Sequence, residues 1–277
     1  MSVTRVAKLD QYGLLQVTGA DARAFLHAQL TNDIESLAPG RACYAGWCSA
    51  QGRLLATFLV VPFEAGFLLQ VSRDLAAAVA KRLAMFVLRS KVTLADVSGQ
   101  WMQYGLWQAA AGGDLAIREF KDRVEIGIDA DRALVLTRMT VDADMPAEEW
   151  TLAEIHAGRP LVVQATQDRF VPQMVNLELS GGVDFRKGCY PGQEIVARTQ
   201  YRGAVKRRMI RLRGAQLRPG QELYSDDLAG QASGTVVNAA GGEALAVVPV
   251  SAIESGAPIR VQPQGAVLEP AALPYSR

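Results

Sequence analysis

The segment from Gln173 to Gly203 reads QMVNLELSGGVDFRKGCYPGQEIVARTQYRG and holds the densest chemistry in the chain. Cys189 lies within it, with Lys187 two residues upstream and Arg186 beside that lysine. Proline is favoured at the first helical position, so Pro191 predicts a helix over PGQEIVART with Cys189 just ahead of its N-terminus. A helix N-terminus and neighbouring cations favour the thiolate, the nucleophilic form of the side chain. One reading is a reactive cysteine; the other is a small buried hydrophobe, the commoner fate of a free thiol.

Other chemistries find fewer residues to work with. Cys43 and Cys48 have four residues between them, no second pair follows, and His27 and His156 are the only histidines. One chain therefore cannot assemble a closed zinc site or a four-cysteine cluster, and no resident metal is expected. No H-E-x-x-H, G-x-S-x-G or Walker sequence is present, and Gly181-Gly182 is not a dinucleotide fingerprint. Papain-like catalysis would need a histidine beside Cys189; nothing local orients His156 for it, so His156 reads as a surface or cap residue.

The frame that carries this segment is an ordinary globular chain. Of 277 residues 49% are apolar and 21% charged, which excludes a disordered polymer, and three cysteines exclude a disulfide framework and suggest a reducing compartment. The opening residues lack the apolar core of a secretory signal, and Leu54 to Phe63 is about half the roughly 20 residues that span a bilayer, so a cytoplasmic protein without membrane contact is expected. Net charge is +1, yet Asp184 to Arg218 carries ten Lys/Arg against two Asp/Glu, which leaves the remainder at −7. That stretch either docks something anionic, tRNA among the possibilities, or is a solvated basic hairpin.

Patterning divides the chain into three portions, 1–100, 101–203 and 204–277. In the first, Tyr12 to Val17 reads as a strand, then Asp21 opens a helix carrying Phe25, Leu26, Leu30, Ile34 and Leu37. Arg53 to Val61 and Phe67 to Val71 form a hairpin around Pro62 to Gly66, Ser72 or Asp74 opens a helix through Phe86, and Lys91 to Val97 is a strand. The order β-α-β-β-α-β is the ferredoxin-like split motif, with two helices on one face of an antiparallel sheet. The second portion echoes it more loosely, with strands at Gln103 to Gln108, Val124 to Ile128 and Ala133 to Thr137 and a helix from Ala147 to His156 ended by Gly158 and Pro160. Short alternating runs at Met209 to Leu212, Thr235 to Asn238 and Leu245 to Val248, broken by glycine turns, read as a small all-β barrel or sandwich.

KGCYPGQE with the following VAR (Lys187 to Arg198), preceded by PQMVNL (Pro172 to Leu177) and followed by YRG and KRR (Tyr201 to Arg208), resembles the signature of the YgfZ-type folate-binding proteins, relatives of the glycine-cleavage T-protein. The resemblance extends to LDQYGLLQVTGADARAFLHAQLTND (Leu9 to Asp33) and EEWTLAEIHAGRP (Glu148 to Pro160). It implies an α+β fold: a three-part ring of two ferredoxin-like portions and a C-terminal β-barrel around a central cavity for tetrahydrofolate. It also implies support of iron–sulfur cluster assembly or repair in client enzymes, including the enzyme that methylthiolates tRNA, with Cys189 required and Lys187 beside it in the signature.

By the same resemblance, Tyr12 and Trp150 fall where relatives place folate-contacting tryptophans; tyrosine keeps the stacking face and adds a hydroxyl. Glu178 is either a surface carboxylate in the Leu-Glu-Leu alternation or an acceptor for the aminopyrimidine edge of a pterin. Arg198 and Arg202 are the nearest cations for the glutamate tail of a folate, unless they are simply solvated. The T-protein relatives carry an aspartate after the glycine that opens a strand, whereas Gly52 to Phe58 here offers no carboxylate. Aminomethyl transfer would lack its proton-handling group and is not expected; the alternative function is a folate-dependent one-carbon transferase or demethylase that uses the same cavity with a carboxylate from elsewhere in the chain.

Overall fold

The computed structural model describes residues 4–108, 113–201, 203, 205–228 and 231–275; Arg202 lies outside them. In chain order the elements are β1 (Arg5–Lys8), β2 (Tyr12–Thr18), α1 (Ala22–Gln29), β3 (Cys43–Cys48), β4 (Leu54–Phe63), β5 (Gly66–Ser72), α2 (Ala76–Ala84) and β6 (Thr93–Asp96). There follow β7 (Met102–Trp107), β8 (Ile117–Glu119), β9 (Arg123–Gly127), β10 (Arg132–Thr137), α3 (Ala147–His156) and α4 (Gln193–Tyr201). The last set is β11 (Arg207–Arg213), β12 (Glu222–Ser225), β13 (Ala232–Ala240), β14 (Glu243–Pro249), α5 (Val250–Ser255), β15 (Ile259–Arg260) and β16 (Val267–Ala271). None of these helices is long and apolar enough to cross a membrane.

The strands make two five-stranded sheets, β3-β4-β5-β2-β6 and β1-β7-β10-β9-β8, and a closed six-stranded barrel, β11-β14-β13-β12-β15-β16. Alternation along the first sheet decides its two packing faces. Leu15, Val17, Leu69 and Val71 pack under Phe25, Leu26, Val79 and Leu83 of α1 and α2. Leu14, Leu59, Val61 and Leu68 point the other way, onto Val124, Ile126, Leu134 and Leu136 of the second sheet. The β-α-β-β-α-β expectation holds with one strand added, because Cys43–Cys48 pairs with β4. Gly46 and two cysteines hid that strand from a propensity reading. The strand β1 pairs with β7, so the first portion lends one strand to the second sheet relative to a cut at residue 100.

Three local expectations change. The helix opened by Asp21 stops at Gln29 instead of running to Leu37, because Leu30 turns extended and bridges to Trp47. Asp21 caps nothing there; its carboxylate accepts the Lys91 N–H at 2.7 Å. The helix expected from Pro191 begins at Gln193 instead, since Gly192 adopts φ 78°, a left-handed conformation that no α-helix continues through. The second portion carries the expected α3 but only a loose version of the split motif, with its sheet completed by β1 and β8.

Candidate functional site

The signature segment is tied to all three portions before it reaches Cys189. Pro172–Val175 forms a short 3-10 turn, and Asn176 then takes a left-handed conformation, φ 55°. The Asn176 amide donates to Met209 O in β11 at 2.9 Å, and the buried Gln173 amide donates to Val196 O in α4 at 2.8 Å. Further on, the first portion grips the glycines. Thr31 Oγ1 donates to Gly182 O at 2.6 Å, Asn32 Nδ2 to Gly181 O at 2.8 Å, and Asp184 N to Thr31 O at 3.0 Å. Gly192 sits against the Gly52 turn so closely that a Cβ there would lie 2.5 Å from Gly52 Cα.

Lys187 is turned into the C-terminal end of α1. Its ammonium donates to His27 O and, at 2.6 Å, to Leu30 O, and lies 5.0 Å from the centre of the Tyr190 ring. Those carbonyls are left unpaired by the end of the helix and carry the negative end of its dipole, so a buried cation there is compensated. Burial pushes the ammonium down to about 8, against the pull of Asp33, Asp184 and Glu35. Lys187 therefore positions the loop by its hydrogen bonds as well as placing a cation near Cys189.

Of the three thiols, Cys189 is the exposed one. Burial pushes the Cys43 and Cys48 thiols up to about 12, which keeps both protonated and unreactive. His27, absent from the expected site, borders the signature loop: a Cβ on Gly188 would stand 3.4 Å from its Nε2, and its Nδ1 lies 3.1 Å from Asp33 Oδ1. Only the tertiary meeting of α1 with residues 181–189 reveals it. His156 is elsewhere, 3.2 Å from Glu243 against the barrel.

Between the sheets and α3 lies a cleft walled by Tyr12, Tyr44, Phe58, Leu59, Pro160 and Leu161 and pointed with Gln70, Glu154 and Arg159. Leu177 and Ser180 of the signature segment close one side. The cleft itself has about 40 Å³ free, room for a few waters. Tyr44, Arg159 and Ser180 also line an outer basin of about 400 Å³ and stand between it and the cleft. A flat ring enters only as those side chains part. Glu154 is held from two sides, by Arg132 Nη1 at 2.9 Å and Arg159 Nη1 at 3.0 Å. The Arg159 guanidinium also stacks 5.6 Å over the Tyr44 ring.

The expected ligand residues separate on this geometry. Tyr12 lines the cleft, and burial, followed by the Glu154 charge, pushes its hydroxyl far above the ordinary tyrosine range. Trp150 stands one layer behind: its indole approaches the Tyr12 hydroxyl, Arg132 covers its face at 4.9 Å, and Trp107 meets it edge-on at 5.4 Å. Trp150 is thus a positioning residue. Glu178, set against the barrel, pairs with Arg208, and burial raises its carboxyl despite that partner. Arg198 stands exposed on α4 and does not line the cleft. Neither Glu154 nor Arg159 was singled out by sequence, since EIHAGRP reads as a helix end.

Residues 4–112 match the GCVT N-terminal domain family. A protein of Haemophilus influenzae, described only as uncharacterized, is 31% identical over 286 residues, 99% of each chain. The tRNA-modifying protein YgfZ of Edwardsiella ictaluri is 30% identical over 236 residues, 75% of this chain and 70% of its own. That of Escherichia coli O127:H6 is 30% identical over 76% of this chain and 72% of its own. The chain belongs to the YgfZ family. As a fold, this YgfZ-family chain superposes on glycine cleavage system aminomethyltransferase T from Bartonella henselae with a TM-score of 0.70, covering 98% of this chain and 86% of that one at 16% identity. The GcvT-like α+β fold with two antiparallel sheets and a six-stranded C-terminal barrel is therefore established.

Proposed function

We propose that the protein binds tetrahydrofolate in the Tyr12–Tyr44 cleft and supports iron–sulfur client enzymes, the tRNA-methylthiolating enzyme among them, through Cys189. The observation that carries this reading is continuity: one segment lines the cleft with Leu177 and Ser180 and, nine residues after Ser180, presents the exposed thiol. Relatives named tRNA-modifying protein YgfZ support the same context.

The cleft fits a pterin in kind. Tyr44 and Tyr12 offer aromatic faces, Leu59 and Leu161 apolar walls, and the Glu154 carboxylate can accept the paired donors of an aminopyrimidine edge. In this proposal Glu154 takes the acceptor role expected for Glu178, and Arg159 stacks at the mouth. When bound, a reduced folate supplies one-carbon carriage. The protein's own residues hold the ring: the Arg132 and Arg159 guanidinium groups hold the Glu154 side chain in place, and Trp150 fixes the Tyr12 ring.

The alternative of a one-carbon transferase now has a carboxylate in the cleft, but Glu154 accepts a hydrogen bond from Arg159 and pairs with the Arg132 charge, and so serves as an anchor better than as a proton acceptor. At Cys189 the loop bonds of Lys187 and the grip of Thr31 and Asn32 fix the backbone, leaving the sulfur to face a client. The test is methylthiolated adenosine in tRNA, measured by mass spectrometry in cells lacking the chromosomal copy. The parent gene restores it, and Cys189→Ser and Glu154→Gln do not; full restoration by Cys189→Ser would refute the reading.

A further inference from the structure

We infer that the turn Met85–Lys91, at the C-terminal end of α2, is the surface on which a protein client docks through an acidic segment bearing apolar side chains. The inference rests on the client-support reading and adds to it the surface and the partner's chemistry. Met85, Phe86 and Leu88 are 63%, 42% and 89% exposed, three large apolar side chains within four residues. Contiguous exposure of that kind marks an interaction site.

The presentation is built. Phe86 N donates to Leu83 O at 3.0 Å, Ser90 N to Val87 O at 2.8 Å, and the Asp21 carboxylate holds the Lys91 N–H. Leu88 adopts φ 46°, a conformation that L side chains take at a cost, and its side chain gains no packing in return. Strain without local compensation is expected where a partner supplies it.

Charge selects the occupant. From Leu75 to Ala95 the chain has Lys81, Arg82, Arg89 and Lys91 and no acidic residue. Among the described residues none of these four forms an ion pair; Arg82 lies 5.7 Å over the Trp47 ring, which Phe86 meets edge-on at 6.3 Å. Exposed apolar side chains on a turn flanked by four cations, with no carboxylate among the described residues paired to them, fit an acidic, leucine-bearing protein segment. Of the three side chains only Phe86 is aromatic, and it is already engaged with Trp47, so nucleobases find no row of free stacking faces; three side chains on one turn also fall short of the long amphipathic helix of a membrane-surface anchor.

The patch also leads back to the thiol. Trp47 bridges to Leu30, whose carbonyl holds Lys187 two residues before Cys189. A client seated on the turn would bring its neighbouring surface to the end of α1, where the signature loop lies.

The test uses the full chain and a fluorescein-labelled helical peptide with Leu at i, i+3, i+4 and i+7 and Glu on its other face. Anisotropy titration should show binding to the parent that weakens at least about tenfold in Leu88→Asn and in Arg89→Glu. In cells both variants should cut methylthiolated adenosine at least about fivefold, with the tetrahydrofolate heat and the alkylation rate of Cys189 as in the parent. Failure of the parent to bind the peptide, full methylthiolation by both variants, or preferential sedimentation of the parent with phosphatidylglycerol vesicles would overturn the inference. A Cys189→Ser arm separates the two readings: if it fails in cells while the loop variants support full methylthiolation, only the docking surface is refuted.

Discussion

Gly105→Ala perturbs the cleft without touching it. Gly105 lies on β7 directly beneath Trp150, and a Cβ there would stand 2.6 Å from Cζ3 and 2.9 Å from Cδ2 of the indole, closer still to Cε3. Carbon atoms in contact stand about 3.5–4.0 Å apart, so the ring must retreat by about 1 Å or more. It has little room to do so, since Trp107 meets one edge, Arg132 covers a face, and the residue is 2% exposed. Overpacking of this kind costs about 1–3 kcal/mol. At about 2–4 °C per kcal/mol for domains of roughly this size, the Tm should fall by several degrees. Calorimetry and urea unfolding should show that loss, while Gly99→Ala, with nothing within 4 Å of its Cβ, should stay within about 0.5 kcal/mol of the parent. The retreating indole also leaves the Tyr12 hydroxyl, so tetrahydrofolate affinity should fall alongside stability. The decisive comparison is the cycle with Trp150→Leu. The added methyl then occupies part of the space the indole vacates, and the double variant should be more stable than the sum of the singles by about 1 kcal/mol or more. Strict additivity would refute the placement of Trp150 between β7 and Tyr12.

Three further outcomes follow from the site's supports. The Lys187 ammonium titrates near 8 when folded and near 10.4 when unfolded, so between about pH 8 and about pH 10.4 the unfolded chain holds more protons and stability at this site rises with pH. The stability of the parent minus that of Lys187→Met should therefore grow across that window in urea titrations, and a flat difference would contradict the buried ammonium. Arg208→Met strands the buried Glu178 carboxylate and should cost about 3–5 kcal/mol near pH 8. Burial already raises this carboxyl, and removing its cation raises it further, so the loss should shrink towards pH 5 as the stranded group takes a proton; an equal loss at both pH values would argue against burial. Asn176→Ala loses the bond to Met209 O and keeps a Cβ in a left-handed conformation, for about 2–3 kcal/mol in all. Asn176→Gly should recover the conformational share, and equal costs for both variants would contradict the φ assignment.

The sequence carried most of the frame because hydrophobic alternation and glycine punctuation act locally. Strands such as Tyr12 to Val17, the helix Ala147–His156 and the barrel runs are set by neighbours in the chain. What it hid depends on distant partners. The strand Cys43–Cys48 is built by pairing with β4 and by burial of Trp47, against the weak propensity of Gly46. Lys187 looked like a simple activating charge because its acceptors, His27 O and Leu30 O, lie some 160 residues earlier. Glu178 looked like either a surface carboxylate or a ligand because Arg208, its partner, belongs to the barrel. Glu154 and Arg159 looked like a charged helix end because the cleft that needs them forms only when α3 meets Tyr44 of the first sheet. Cys189 stood out by its neighbours Arg186, Lys187 and Pro191, but those neighbours left its exposure open, because only the packing of the loop leaves the thiol at the surface.

Calorimetric titration of tetrahydrofolate into the parent and Glu154→Gln measures the cleft directly, with Tm recorded for both so that folding is controlled. A hydrogen bond to a charged group contributes about 1.5–3 kcal/mol, so the account predicts saturable heat for the parent and an affinity at least about tenfold weaker for the variant. No heat with the folded parent, or one Kd for both proteins, would contradict it.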